Sequence, residues 1–443
     1  MLLSTRNAHR AVLALMLAIA PAWAGAQTTY TWTGAVSGGW GTPGNWSPQG
    51  TPAFQDAARF GGTTSAALTV ANGTNGYEID SLAFLPGAPA YTLHVSGSFG
   101  GLYISSGIVD QSSNAPAFLV DAGACLCLYG GDFADSNITS AGEVLFGGSP
   151  SSGGSAHIVN QSGGLVQFNV SGASTAEDAT IVNDAGAVVD VGAANIPHVA
   201  IGSLSGAGNV TLGSHDLLVG NLGGNDAIAG VVSGSGELTK VGSGTLTLSG
   251  ANTYTGQTTI ASGTLAVEGS LPGAGTVYLP DGLAASFKTL SGAGSVGYVV
   301  MGSDSALEPG NAMPNTKMTM SRLECNGTND FAYLRIGNNG SSTYGTYLDL
   351  TSPLRAIGCP ALHFRFTSAG TPLAAGQSYL IALMDGPTDY SAVNLAYDFS
   401  LFPGYHQAQG HFFVFSSASF SDIFFILDDV GDSIFASGFE LIN

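Results

Sequence analysis

Three observations predict an all-β fold built as a parallel β-helix. Short apolar runs of alternating period recur along the chain, separated by Gly, Ser, Asn and Asp, which is the pattern of half-buried strands. Glycine contributes 65 of the 443 residues and charged residues only 9%, which is typical of turn-dense β structure. The unit that begins at Gly244 begins again at Gly263, after roughly the length of one solenoid coil.

The composition excludes disorder and disfavours nucleic acid as a partner. Hydrophobic residues make up 44% of the chain, which is enough to form a core. The formal net charge of −20 comes from 30 acidic residues against 10 basic ones. Because such a surface repels phosphate backbones, we expect no nucleic-acid partner. No cofactor is expected either.

Residues 1–26 have the features of a secretory signal peptide. A basic start precedes an apolar run at residues 11–20, and Ala24-Gly-Ala26 offers small residues for cleavage before Gln27. The apolar run is too short for a permanent transmembrane helix, and no later stretch is long enough. The mature chain is therefore expected outside the cytoplasm, with no transmembrane segment.

Residues 27–52 are predicted to cap the first coil. All three tryptophans of the mature chain, Trp32, Trp40 and Trp46, lie here among Gly and Pro turns. A solenoid has to cover the open end of its first coil, and bulky aromatic side chains can do so. The alternative is a platform on which sugar rings stack, which would need polar partners that we do not find in the sequence.

Residues 53–305 are predicted to form the parallel β-helix itself. In the best-defined unit, Thr245 to Leu248, threonine alternates with leucine, so the leucines share one face of the strand. A short strand cannot bury such a face alone. Stacked coils bury it as a continuous aliphatic ladder, with Thr, Ser and Gly on the outside and at the corners.

One stretch, residues 236–267, carries a dense pattern of glycine, threonine and leucine around an Asn-x-Tyr-x-Gly motif. The residues of this pattern are Gly236, Leu238, Lys240, Gly244, Leu246, Leu248, Gly250, Asn252, Tyr254, Gly256, Ile260, Gly263 and Leu265. The pattern resembles the passenger-associated transport repeat, also called the autotransporter-associated β-strand repeat. In that family the repeat lies in right-handed, single-stranded parallel β-helical passengers of Gram-negative surface and secreted proteins. The resemblance implies a structural role for these residues, in folding and export.

Residues 306–427 are predicted to form a C-terminal β cap, with antiparallel hairpins, because aromatic residues become more frequent there. The phrase from Leu307 to Asn311 resembles the end of autotransporter β-helices. Residues 428–443 form a tail with the motif D-x-I-F-x-x-G-F-E, which is either a sorting tag or a last edge strand. We find no membrane barrel of alternating strands after the cap, so self-secretion is not expected.

The four cysteines allow three disulfide connectivities in an oxidising compartment. Cys325 and Cys359 are the favoured pair. Cys125 and Cys127 would share one face of a strand, where we expect them not to bond to each other but to remain buried free thiols in the ladder. A C-x-C metal site is the alternative, but no nearby His or Cys completes it, and no metal is expected.

Parallel β-helices include polysaccharide lyases and hydrolases, so an enzyme is the main functional alternative. A lyase needs a base and several carboxylates around a cation, but Lys240 is the only Lys or Arg between residues 100 and 285. A hydrolase needs two carboxylates on adjacent strands. The candidates are Glu177, Asp178, Asp184 and Asp190. Isolated acids on a solenoid surface are usually solvated, so no catalytic residue is assigned.

The sequence therefore predicts an exported structural or adhesive protein of the cell surface or extracellular space, with the periplasm as the second choice. Its partners would be surface glycans, host or other cell surfaces, and the export machinery. The alternative is a polysaccharide-active enzyme. A third hypothesis is a passenger whose membrane barrel is supplied by a partner protein.

Overall fold

The computed structural model describes most of the chain. The described residues are 27–62, 66–71, 76–97, 100–148, 151–168, 174–194, 196–281, 287–310, 316–326, 330–338, 343–351, 357–358, 362–368, 373, 376–385, 395–398, 409–416 and 420–429. Among them the only helix is one turn of 3-10 helix, Pro43–Asn45. None of these residues forms an apolar helix long enough to cross a membrane.

The described residues form 43 strands, most of them two to five residues long. The first part of the chain contains β1 (Thr29–Trp32), β2 (Trp46–Ser47), β3 (Ala57–Phe60), β4 (Ala67–Ala71), β5 (Tyr77–Ile79), β6 (Ser81–Phe84), β7 (Thr92–Ser96), β8 (Gly101–Ile104), β9 (Ile108–Asp110), β10 (Ala117–Val120), β11 (Cys125–Leu128), β12 (Gly131–Asp132), β13 (Asn137–Ser140), β14 (Glu143–Phe146), β15 (Ser151–Ser152), β16 (His157–Asn160), β17 (Leu165–Phe168), β18 (Ser174–Asn183), β19 (Val188–Asp190), β20 (His198–Ser205) and β21 (Asn209–Gly213). The remainder contains β22 (Asp216–Val219), β23 (Asp226–Ile228), β24 (Val232–Gly234), β25 (Leu238–Lys240), β26 (Thr245–Leu248), β27 (Thr258–Ile260), β28 (Gly263–Val267), β29 (Thr276–Leu279), β30 (Lys288–Gly292), β31 (Tyr298–Met301), β32 (Ser305–Pro309), β33 (Lys317–Met320), β34 (Arg322–Cys325), β35 (Asp330–Asn338), β36 (Thr343–Gly345), β37 (Tyr347–Leu350), β38 (Ile357–Gly358), β39 (Leu362–Ser368), β40 (Ser378–Asp385), β41 (Leu395–Asp398), β42 (Gln409–Ser416) and β43 (Phe420–Asp429).

Most of these strands stack in parallel on three faces, and successive coils visit the faces in a fixed order. The first face runs from β1, β3, β6 and β9 through β12, β15 and the first halves of β18 and β20 to β22, β25, β27, β29, β31, β34 and β38. The second runs from β4, β7, β10, β13 and β16 through the second halves of β18 and β20 to β23, β26, β28, β30, β32, β35, β39 and β41. The third runs from β5, β8, β11, β14, β17, β19, β21 and β24 through single bridges to β33, β37 and β40. This arrangement confirms the predicted all-β parallel solenoid.

Inward-pointing side chains form one continuous core along the stack. Equivalent positions of successive coils meet, so like residues stack: the rings of Phe60 and Phe84 are 5.0 Å apart, and those of Phe146 and Phe168 are 4.6 Å apart. A buried amide ladder follows the same rule, because Asn160 Nδ2 donates to Asn183 Oδ1 at 2.8 Å. Offset aromatic pairs and hydrogen bonds between amides both stabilise such a register.

The N-terminal segment covers the first coil on all three faces. Strand β1 pairs in parallel with β3, Gly39 bridges to Thr69 of β4, and the ring of Trp40 lies 5.9 Å from that of Tyr77 on β5. Trp32, Trp40 and Trp46 are at most 3% exposed. Their burial makes the sugar-platform alternative for these tryptophans wrong, since a sugar ring could not reach them.

Parallel stacking continues beyond residue 305, the predicted end of the β-helix, because β32 pairs in parallel with β35 and β35 with β39. Antiparallel pairing appears on the third face, where β43 lies between β40 and β42. The ring centroid of Phe425 on β43 lies 4.7 Å from that of Phe366. Of the predicted tail at residues 428–443, the first two residues end β43, and residues 430–443 lie outside the described residues.

Candidate functional site

The passenger-type repeat forms one coil and the start of the next. The five aliphatic residues of its pattern, Leu238, Leu246, Leu248, Ile260 and Leu265, are fully buried. Leu246 pairs with Leu265 and Leu248 with Val267 across β26 and β28. The alternation of threonine and leucine thus builds one rung of the ladder on the second face.

Asn252 and Tyr254 connect coils where the third face has no regular strand. Asn252 accepts a hydrogen bond from the Val232 amide at 2.9 Å, and its amide nitrogen donates to the carbonyl of Ser270 at 3.1 Å. One side chain therefore joins the preceding coil to the following one. Tyr254 is buried, its hydroxyl lies 2.5 Å from Thr258 Oγ1, and burial raises its pKa to about 12.

Corner glycines let the coils approach closely. At Gly244 an added Cβ would overlap the carbonyl oxygen of Gly224 in the preceding coil. Gly236, Gly250 and Gly256 meet preceding-coil backbone in the same way. Any side chain at these corners would push neighbouring coils apart.

Lys240 occupies a core position between Val219 and Ile260 in the register of the first face. Its side chain is 1% exposed, and the ammonium turns to the corner. There it donates to the carbonyl oxygens of Val241 at 2.6 Å, Gly242 at 2.9 Å and Ser262 at 3.3 Å. Three donors thus meet three acceptors. Burial lowers the pKa of Lys240 to about 8, and the charge of Asp226 acts in the opposite direction.

We expect the buried Lys240 ammonium to make stability depend on pH. The folded-state pKa of about 8 lies below the ordinary value of 10.5, so above pH 8 the unfolded chain binds more protons and stability rises with pH. Below pH 8 the full cost of burying the charge is present. Urea unfolding should show the stability of wild type minus that of Lys240→Met increasing by about 1–2 kcal/mol between pH 7.5 and 9.5.

Lys317→Met is the matched control for this titration. Lys317 is a partly exposed lysine whose pKa is raised, chiefly by a hydrogen bond to Asp349. Its contribution is lost only above the ordinary lysine range, outside the measured window. A flat difference for Lys240→Met, or an equal slope for Lys317→Met, would contradict the assignment.

The acidic residues proposed for an enzyme lie at three places. Glu177 and Asp178 are exposed on β18, at the junction of the first and second faces, and Asp190 belongs to β19 of the third face. Asp184 follows the end of β18, between the second and third faces. The Asp190 carboxylate accepts hydrogen bonds from Gln167 Nε2 and from the Gly192 amide, both at 2.8 Å. These bonds give Asp190 a structural partner on the neighbouring coil.

The free-thiol prediction for Cys125 and Cys127 is wrong, because the structure joins the two sulfur atoms in a disulfide. Side chains two apart on a strand leave the same face, and the Cα separation of 5.6 Å is within the range that disulfides span. The side chains of Cys125 and Cys127 point outward from β11 and not into the ladder. No cluster of three metal-ligating side chains occurs among the residues that the structure describes. Cys325 is also disulfide-bonded, but Cys359 lies outside the described residues, so that pairing stays a prediction.

Thiol labelling should distinguish these states. We expect the purified full chain to resist alkylation under denaturing conditions until it is reduced, because its described cysteines are oxidised. A peptide containing Cys125 and Cys127 should then gain two hydrogens on reduction without splitting into two peptides. Alkylation of either residue before reduction would contradict the disulfide, and Cys125→Ser with Cys127→Ser is the control that removes the signal.

A second apolar cluster lies outside the core, on the outer side of the third face. It consists of the disulfide Cys125–Cys127, Leu145, Tyr103 and Tyr129, and we call it the outer tyrosine patch. The register explains it, because Tyr103, Cys127 and Leu145 occupy paired positions of β8, β11 and β14. The tyrosine rings are nearly parallel, with centroids 6.3 Å apart and an interplanar angle of 19°.

Glycines and carboxylates border the patch. An added Cβ would lie 2.5 Å from a ring atom of Tyr103 at Gly76 and 2.8 Å from a ring atom of Tyr129 at Gly147, so each ring contacts a glycine closely. Glu78 pairs with Tyr103 in the register. Burial, followed by the charges of Glu143 and Glu78, raises the pKa of Tyr103, which keeps its hydroxyl protonated.

The outer tyrosine patch was not predicted from the sequence. The segment around Cys125 has the composition of a simple apolar run, although its odd and even positions point to opposite sides of the strand. The usable signal was local: at the outward positions of β8, β11 and β14, Tyr, Cys and Leu replace the Thr and Ser that occupy the equivalent positions of β21 and β24.

Comparison with known proteins places this geometry in a family context. Residues 238–267 match the passenger-associated-transport-repeat family. The chain therefore carries one repeat of the type found in that family. It is also 32% identical over 174 residues to the adhesin BmaC autotransporter of Brucella suis biovar 1 (strain 1330). That match covers 39% of this chain and 4% of the relative, so this chain spans only a small part of the relative's length.

Proposed function

We propose that this passenger-like chain is an exported adhesive protein of the cell surface or extracellular space and that it performs no catalysis. The repeat at residues 238–267 carries the proposal, because its family accompanies exported passengers. Similarity to an adhesin autotransporter supports adhesion as the activity. The separation of Asp190 from Glu177 and Asp178 by face gives no support to a paired-carboxylate hydrolase.

The proposed organisation assigns a task to each part of the chain. Residues 1–26 direct export and are removed before Gln27, residues 27–52 cap the stack, and residues 53–305 form its main part. Residues 306–427 close the other end, and the tail at 428–443 serves sorting. The parallel ladder supplies a rigid support, since most strands are held by neighbours above and below. Adhesion then uses outward-facing side chains, with glycans or cell surfaces as partners.

Fractionation of the native host tests the proposal. We expect full-length mature protein, beginning near Gln27 by intact mass, in the surface fraction or the medium. Deletion of its gene should reduce attachment of the cells to abiotic or cellular surfaces, and complementation should restore it. Protein confined to the periplasm, or attachment unchanged by the deletion, would overturn the proposal.

A further inference from the structure

The outer tyrosine patch is an exception on this solenoid. Along the same register the outward positions become polar, with Gln167 in β17, Asp190 in β19 and Thr211 in β21. Tyr103 and Tyr129 are only half-buried, although the disulfide beneath them is nearly inaccessible. The rings therefore cover the disulfide and also leave aromatic surface facing the solvent.

We propose that the outer tyrosine patch is a binding site for uncharged glycans, with Tyr103 and Tyr129 as the ring platform. The inference rests on the proposed adhesive function and names the site and the ligand class. Sugar rings have one apolar face that packs on aromatic rings, and their hydroxyls need polar acceptors at the edge. Glu78 pairs with Tyr103 in the register and can supply such an acceptor, and Glu143 pairs with Cys125 at the edge of the patch.

Charge selects among glycans. The chain contains no Lys or Arg between Arg59 and Lys240, so the coils that carry the patch lack a cation to pair with a uronate or sulfate. Glu78 and Glu143 add negative charge beside the rings. Anionic polysaccharides are therefore repelled, whereas uncharged ones meet no electrostatic penalty.

Size favours a sugar over a protein partner. A stable protein interface requires roughly 20–30 residues a side. The outer tyrosine patch has five apolar side chains, bordered by polar residues on the following coils. Such an area suits one or two sugar units and is too small for a protein surface.

Affinity electrophoresis of the purified full chain tests the inference. The protein carries a net charge of −20 and migrates in a native gel, whereas an embedded uncharged polysaccharide stays in place and retards any protein that binds it. The probes are dextran, galactomannan, xyloglucan and soluble chitin oligomers coupled to the gel, with heparin and polygalacturonate as anionic probes. We expect retardation by at least one uncharged probe, and the effect should persist in 0.5 M NaCl, because it involves no ion pair.

Variants separate binding by the rings from a general effect on folding. Tyr103→Ala and Tyr129→Ala should each weaken retardation about tenfold, whereas Tyr103→Phe, which keeps the ring, should change it by less than about threefold. Tyr278→Ala is the matched control, since Tyr278 is a half-buried outward tyrosine of β29 on another face. Equal thermal melting curves would show that the variants remain folded.

Three outcomes would overturn the inference: no retardation by any uncharged probe, retention of binding in both alanine variants, or salt-sensitive binding to anionic probes alone. The proposed function fails separately. If cells attach equally well with Tyr103→Ala and Tyr129→Ala, the adhesive function stands and the patch assignment falls. If the protein stays in the periplasm yet binds glycan in the gel, the patch stands and the adhesive function falls.

Discussion

Replacing Gly263 by alanine is expected to lower the free energy of unfolding by about 2–4 kcal/mol. Gly263 has a φ of +69°, a left-handed conformation that costs a residue with a Cβ about 1–2 kcal/mol. The added Cβ would also lie 2.5 Å from the carbonyl oxygens of Gly242 and Gly244 in the preceding coil. The backbone must therefore shift where β28 stacks on β26.

The loss of stability in Gly263→Ala should be confined to the coils around residue 263, because each coil of a solenoid contacts only its neighbours. Hydrogen exchange followed by mass spectrometry should show faster exchange in β26 and β28, with β8 and β11 unchanged. Gly224→Ala is the matched control, since an added Cβ there meets nothing within 4 Å. Equal stability of the two variants would contradict the corner argument.

Replacing Trp40 by alanine is expected to cost about 3–5 kcal/mol and to expose the first coil. Trp40 is 0% exposed, with its ring centroid 4.7 Å from that of Trp46 and 6.3 Å from that of Phe60. The Trp40 carbonyl also accepts a hydrogen bond from Trp46 Nε1 at 2.7 Å. Loss of the ring removes the contact that covers Tyr77 and leaves the open end of the stack accessible to other strands.

Urea unfolding and light scattering measure the two consequences separately. The unfolding midpoint should fall, and Trp40→Ala should aggregate at concentrations at which the wild type stays monodisperse. Phe54→Ala, just after the cap segment, provides the comparison, because Phe54 is 52% exposed. The capping role would be refuted if Trp40→Ala unfolded and aggregated no more readily than Phe54→Ala.

The repeat residues show how far local pattern carries a prediction. Alternation of Thr245 to Leu248 was enough to predict a strand with leucine inside, and the structure buries both leucines. The inward position of Lys240 follows from the same period, since it lies two residues after Leu238 on β25. The period does not predict the three carbonyl partners of Lys240, because two of them belong to its own corner and one, Ser262, belongs to the next coil.

The cysteines show what a local pattern does not predict. Period 2 correctly placed Cys125 and Cys127 on one side of a strand, but which side faces the core depends on how neighbouring coils pack. The expectation of inward thiols failed for this reason. Tyr129 follows β11 and is separated in sequence from Tyr103, and only the stacking of coils brings their rings together.

The sequence alone determined the all-β class, the parallel solenoid and the passenger-type repeat, because each depends on a period or motif within about one coil of chain. Only the tertiary structure decided the continuity of the three faces, the cover over the first coil, the disulfide between Cys125 and Cys127 and the outer tyrosine patch. These features arise from contacts between coils. Coil-to-coil register is set by the summed packing of all rungs, which no single segment of the sequence encodes.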